Sequence, residues 1–118
     1  MSIGDDNDRL EMNALRGKVS SVSSHETAFY PREALFWIQY STSWSHYSEQ
    51  ESKFTWINQF YQHMQPYVST FGYVNCPDGE LGNNYLQSYY GSNLDRLIQI
   101  KRQYDPTNFF RFPQSIPI

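Results

Sequence analysis

Residues Tyr89 to Ile116 read YYGSNLDRLIQIKRQYDPTNFFRFPQSI. Gly91 supplies a turn, and Ser92 or Asn93 is placed to cap a helix start by accepting from the free N–H groups of its first turn. Leu94, Leu97 and Ile98 then recur at helical spacing, and the methylene stem of Lys101 extends that stripe. The helix stops at Asp105-Pro106, because proline pushes the residue before it out of the α region. Pro106-Thr107-Asn108 is turn chemistry, and Phe109, Phe110 and Phe112 anchor a non-helical tail. Nothing in this stretch performs a reaction. It is a docking element: one helix, then an aromatic tail.

The totals bound what surrounds it. A chain of 118 residues makes one domain at most, and a compact fold of this size buries roughly two-thirds of its unfolded surface. Aromatic residues make up 18% of the chain, so much of it wants burial. The mean hydropathy is still −0.69, because Ser, Asn, Gln and Tyr are abundant. A net charge of −3 leaves no electrostatic footprint for nucleic acid or an anionic membrane. No apolar run approaches the roughly 20 residues of a membrane span, and the N-terminus is more acidic and polar than a signal peptide. The single cysteine, Cys76, has no partner for an internal disulfide and leaves the redox compartment open.

Upstream, residues 1–16 read as a frayed or weakly helical lead-in, partly disordered. Its Asp5, Asp6 and Asp8 lack the glycine and distal glutamate of an EF-hand loop. Lys18 to Ser23 is β-compatible and predicts a strand. Ala34 to Trp44 predicts the clearest strand, with Phe36, Ile38 and Tyr40 alternating with Trp37, Gln39 and Ser41. Ser48 to Tyr67 predicts a helix with Ile57, Phe60, Tyr61 and Met64 on one stripe, closed by Pro66. Phe71 to Asn75 predicts another strand, followed by a polar loop through Pro77-Asp78-Gly79. The fold class is therefore α+β, small antiparallel strands packed with two helices. His25, His46 and His63 show no metal-ligand spacing, so no metal site is expected. There is no glycine-rich phosphate loop and no nucleophile elbow. By these features alone the chain is not an enzyme.

Its motifs nevertheless carry a resemblance. Tyr90-Gly91, Asn93, Arg96-Leu97, Lys101, Asp105-Pro106, Asn108-Phe109-Phe110-Arg111 and Gln114-Ser115-Ile116-Pro117 resemble the C-terminal signature of the berberine bridge enzyme-like family of FAD-linked oxidases. Thr27-Ala28-Phe29-Tyr30-Pro31-Arg32 is similar to the family's Thr-Ala-Phe-Pro-His-Arg turn, with Tyr30-Pro31 where that turn has Pro-His. Tyr73-Val74-Asn75-Cys76-Pro77-Asp78 resembles the family's Tyr-x-Asn-Tyr-x-Asp motif, with Cys76 in place of the second tyrosine.

This resemblance implies FAD as cofactor in the complete enzyme, with hydride passing to the flavin and oxygen reoxidising it. It implies Tyr73 and Asn75 as cofactor-binding residues, and Trp37 and Gln39 on the strand that faces a small-molecule substrate. In several relatives the second tyrosine is a base for a substrate hydroxyl, which makes Cys76 the catalytic candidate. A thiol titrating near ~8.5 can serve when neighbours lower it, whereas a lone cysteine also reads as a small, inert, buried residue.

The resemblance covers residues 17–117 and only the C-terminal part of the family's chain. The family's dinucleotide-binding domain lies N-terminal to anything in this sequence. So do the His and Cys that anchor flavin in many members, and neither maps onto His25, His46, His63 or Cys76. The expected organisation is a lead-in over 1–16 and a C-terminal domain over 17–118. Within it, 17–88 completes the substrate domain, and the helix and tail of 89–118 dock on the FAD-binding domain, the implied partner. Two functions follow: the C-terminal portion of an FAD-dependent oxidoreductase of alcohols, sugars or alkaloid-like substrates, not catalytic alone, or a stand-alone interaction module that docks to a separate FAD domain or self-associates.

Overall fold

A computed structural model describes residues 6–118. The elements are β1 (Arg9–Ala14), β2 (Phe36–Ser41), α1 (Gln50–Met64), α2 (Tyr85–Tyr90) and α3 (Leu94–Tyr104), with short 3-10 segments beside the helices. The chain falls into two compact units. One contains the described residues up to Ala14 and Leu35–Thr70; the other contains Leu15–Ala34 and Phe71–Ile118. No described helix is long and apolar enough to cross a membrane.

In the first unit β1 and β2 form an antiparallel two-stranded sheet, with Leu10 opposite Tyr40, Met12 opposite Ile38 and Ala14 opposite Phe36. Directly opposed residues share a face, so these six side chains make an apolar face. Arg9, Glu11, Asn13, Trp37, Gln39 and Ser41 make a polar one. The ring of Tyr40 meets Phe60 edge-on at 5.2 Å and Tyr61 at 6.5 Å, which places the stripe of α1 on the apolar face. Trp56 stacks on Phe60 from within α1. Ser45 and His46 donate backbone N–H groups to the Glu49 carboxylate, which fixes the entry to this helix. Pro66 ends it, in the turn Gln65–Tyr67. Lys53, on α1, is buried and paired to Asp8 at 3.0 Å, and Asp8 also accepts from the Thr42 hydroxyl.

The second unit is built on residues 88–93. Tyr89 and Tyr90 are the buried hydrophobic side chains among the described residues, flanked by buried Ser88, Gly91 and Asn93. Gly91 sits at φ +49°, and a Cβ there would fall 2.3 Å from Tyr30 Cε1. Only glycine fits. Burial pushes the Tyr90 hydroxyl pKa up, helped by its neighbours Tyr85 and Tyr89. In α3, Leu94, Leu97, Ile98 and Lys101 are half-buried, as their spacing requires.

Several sequence expectations need correction. Arg9–Ala14 is a strand, not part of a frayed lead-in, because its apolar residues alternate with period two and find β2. Residues 1–5 lie outside the described residues. Lys18 to Ser23 is a series of turns, not a strand, because Ser20 and Ser21 spend their hydroxyls on the carbonyls of Gly17 and Lys18. Phe71 to Asn75 is irregular chain running into a turn, because Gly72 bonds Ser88 of a helix rather than a strand. Neither Ser92 nor Asn93 caps α3 with its side chain: the Asn93 amide is turned to a loop. The short helix α2 had no signal strong enough to read.

Candidate functional site

The candidate residues fall in both units. Trp37 and Gln39 lie on β2, opposite Asn13 and Glu11, and thus on the polar face of the sheet. Trp37 is half-buried and Gln39 exposed. Their neighbour Glu11, missed by sequence reasoning because residues 1–16 were not read as a strand, accepts from the Asn13 amide at 3.0 Å. The alternation Arg9, Glu11, Asn13 against Leu10, Met12, Ala14 is the signal that finds it. This face combines one indole with guanidinium, amide, carboxylate and hydroxyl groups.

Tyr73, Asn75 and Cys76 are brought together in the second unit by one turn. The Cys76 N–H donates to the Tyr73 carbonyl at 2.8 Å. The Asn75 Nδ2 donates to the Tyr73 hydroxyl at 3.0 Å, and Phe29 packs edge-on against the Tyr73 ring at 5.6 Å. Asn75 and Cys76 are exposed. The expectation of a buried Cys76 is therefore corrected: its side chain is exposed in this turn.

The loop that carries Phe29 is anchored from two sides. Arg32 lies over the Phe29 ring at 4.9 Å and donates to Val19 O at 3.1 Å and Thr27 Oγ1 at 2.6 Å. Asn93 donates to Ser24 O and Thr27 O at 2.6 and 3.2 Å. Because that amide nitrogen is committed as a donor, the Asn93 oxygen is left to accept from His25 Nδ1 at 3.0 Å. Thr27, Phe29, Arg32 and Asn93, all from the quoted motifs, thus act together to hold Tyr73.

A scan against family models matches residues 72–117 to berberine and berberine like. This segment contains the turn, α2, α3 and the tail. Residues 72–117 belong to the berberine and berberine-like family. An uncharacterized FAD-linked oxidoreductase of Bacillus subtilis (strain 168), YvdP, is 46% identical over 101 residues, which is 86% of this chain and 22% of that protein. Among solved structures, BBE-like 28 from Arabidopsis thaliana superposes with a TM-score of 0.84 at 30% identity, over 92% of this chain and 27% of that one. A glycopeptide hexose oxidase complexed with teicoplanin gives 0.83 at 26% identity, over 94% and 26%. The chain spans less than a quarter of the length of the first curated relatives it matches. Its fold is α+β, the C-terminal part of the FAD-linked oxidase fold.

Proposed function

We propose that this chain is the C-terminal portion of an FAD-dependent oxidoreductase acting on an alcohol, a sugar or an alkaloid-like molecule, and that it is not catalytic alone. The turn Tyr73–Cys76 carries the reading. It lies inside the family-matched segment and displays the Asn75 amide beside the Tyr73 hydroxyl. An exposed carboxamide offers an acceptor beside a donor, which complements the alternating N–H and C=O edge of a flavin, so these residues fit that cofactor. When bound, FAD supplies the two-electron acceptor. Tyr73 and Asn75 contact its ring system, Trp37 and Gln39 face the substrate, and Cys76 stands at the position of the family's basic tyrosine.

Exposure in the tail supports a covering partner. Phe109 and Phe110 are 77% and 73% exposed, and Tyr104 on the last turn of α3 is 77% exposed. Large aromatic surface left in water marks an interface, and the FAD-binding domain is the partner proposed for residues 89–118. The same exposure supports the second reading, a stand-alone module that docks to a separate FAD domain or self-associates.

A complementation experiment tests the first reading. The Bacillus relative is produced without the region that this chain matches and then mixed with this chain. Restored flavin retention is the expected result. Dispersed, monomeric chain that leaves flavin retention unchanged would contradict both readings.

A further inference from the structure

The turn that displays Tyr73, Asn75 and Cys76 is tied at both ends to two consecutive residues of α2. At one end the Gly72 N–H donates to Ser88 O at 3.1 Å. At the other, the Asp78 N–H donates to Tyr89 Oη at 2.9 Å. Gln114, in the tail, closes a ring: its Nε2 donates to Asp78 O at 2.7 Å and its Oε1 accepts from Tyr89 Oη at 2.9 Å.

The directions are fixed by chemistry. The Asp78 carbonyl only accepts, so Gln114 must turn its nitrogen there and its oxygen to Tyr89. The Tyr89 hydroxyl then gives its single proton to Gln114 and accepts from Asp78. Tyr89 is 2% exposed, so water does not substitute for these partners. A Cβ on Gly72 would fall 2.9 Å from Tyr89 Cε1, which places the loop backbone directly on the ring.

We infer that Tyr89 and Gln114 are positioning residues for the Tyr73–Cys76 turn, and that seating the tail and seating the turn are one event. Gln114 follows Phe112 in the tail, whereas Asp78 ends the turn's loop. A tail that lifts takes the Asp78 tie with it. The functional meaning of this coupling rests on the flavin-side reading of the turn; the coupling itself does not.

Amide hydrogen exchange on the 118-residue chain separates the two. In Tyr89→Phe and Gln114→Leu, amides of residues 74–78 are expected to exchange about tenfold faster, the loss of one tie to Asp78 in each variant, while α3 amides keep their rates. Tyr67→Phe, which removes a hydroxyl from an exposed ring of the first unit, is the control and should change neither. Gln114→Glu supplies a rescue: as a carboxylate it has no donor for Asp78 O, and below its ordinary pKa of ~4.3 the protonated acid donates again. Protection of Asp78, corrected for intrinsic exchange, should therefore return on acidification in this variant alone. Unchanged exchange at 74–78, or equal acceleration in α3, overturns the inference. If Tyr89→Phe fails to fold, the two Gln114 variants carry the same test. Faster turn exchange, with the same visible flavin spectrum for Tyr89→Phe and the parent chain after complementation, would leave the brace standing and overturn the flavin-side reading.

Discussion

Lys101 and Asp105, one helical turn apart at the end of α3, form an ion pair that also starts the tail. The Lys101 ammonium reaches Asp105 and the Phe110 carbonyl together. The other faces of the Asp105 carboxylate accept the N–H groups of Phe109 at 2.7 Å and Phe110 at 3.0 Å. Three donors, the Lys101 ammonium and the two backbone N–H groups, are thereby gathered on one side chain. The two phenylalanines are left pointing outward.

This arrangement gives a pH dependence. The hydrogen bond from Lys101, followed by those from Phe109 and Phe110, holds the Asp105 carboxyl below its usual range. A carboxyl depressed in the folded state contributes stability above its unfolded pKa of ~3.9 and loses it as pH falls through the lower folded value. The Phe109 and Phe110 amides should be protected at neutral pH and lose protection only as pH falls below the ordinary carboxylate range. Asp105→Asn should show weakened protection at every pH, with no such transition. Amide exchange read by NMR checks both. An unchanged transition in the variant would assign the effect to another group.

Asn93 is expected to be the least replaceable polar residue of the second unit. Its amide serves Ser24 O, Thr27 O and His25, and the residue is 7% exposed. Asn93→Ala leaves these partners unsatisfied and should cost about 2–4 kcal/mol in urea unfolding. Asn93→Asp keeps the shape but aims an anion at two carbonyls, and should cost at least as much. A loss within about 0.5 kcal/mol for both would mean that loop 23–27 is not held this way.

In the first unit, the Lys53–Asp8 pair is 7% and 4% exposed at its side chains. Removing one partner of a buried pair takes the opposite charge from the other, so Lys53→Met should destabilise by about 3–5 kcal/mol. The double variant Lys53→Met/Asp8→Asn should recover part of that loss. Thermal or urea unfolding of the single and double variants gives the coupling directly. Additive effects would show that the two side chains do not act as a pair.

What the sequence made legible follows local chemistry. The half-buried stripe of α3 and the stop at Asp105-Pro106 are set within a few residues, and both were readable. So was α1, from Ile57, Phe60, Tyr61 and Met64 to the stop at Pro66. β2 was readable from Phe36, Ile38 and Tyr40 alternating with Trp37 and Gln39. β1 was missed because Leu10, Met12 and Leu15 also suit a helix, and only pairing with β2 decides between the periods. The apparent strands at Lys18 and Phe71 failed because serine hydroxyls and the Gly72 tie take the backbone partners that a sheet needs. Of the site, the Tyr73–Cys76 turn was legible as a motif. The brace from Tyr89 and Gln114 was not, because it joins positions 25 residues apart.

Cys76 offers a milder substitution. Its side chain is exposed at the tip of the turn, so the larger ring of Cys76→Tyr extends into solvent. Stability should stay within about 0.5 kcal/mol of the parent chain. In the complemented enzyme, turnover should be kept or raised if, as proposed, Cys76 stands where the family has its tyrosine. Loss of folding would mean that the turn is more confined than its exposure indicates. Loss of turnover in a folded variant would show that the thiol has its own role.

The most direct measurement is a visible absorbance scan of the purified 118-residue chain after incubation with FAD and desalting. The expected result is a spectrum without a flavin band, because on the proposed reading Tyr73 and Asn75 supply only one edge of a site whose remainder belongs to the FAD-binding domain. A flavin band at one cofactor per chain would contradict this, and would mean that these residues form a complete cofactor site of their own.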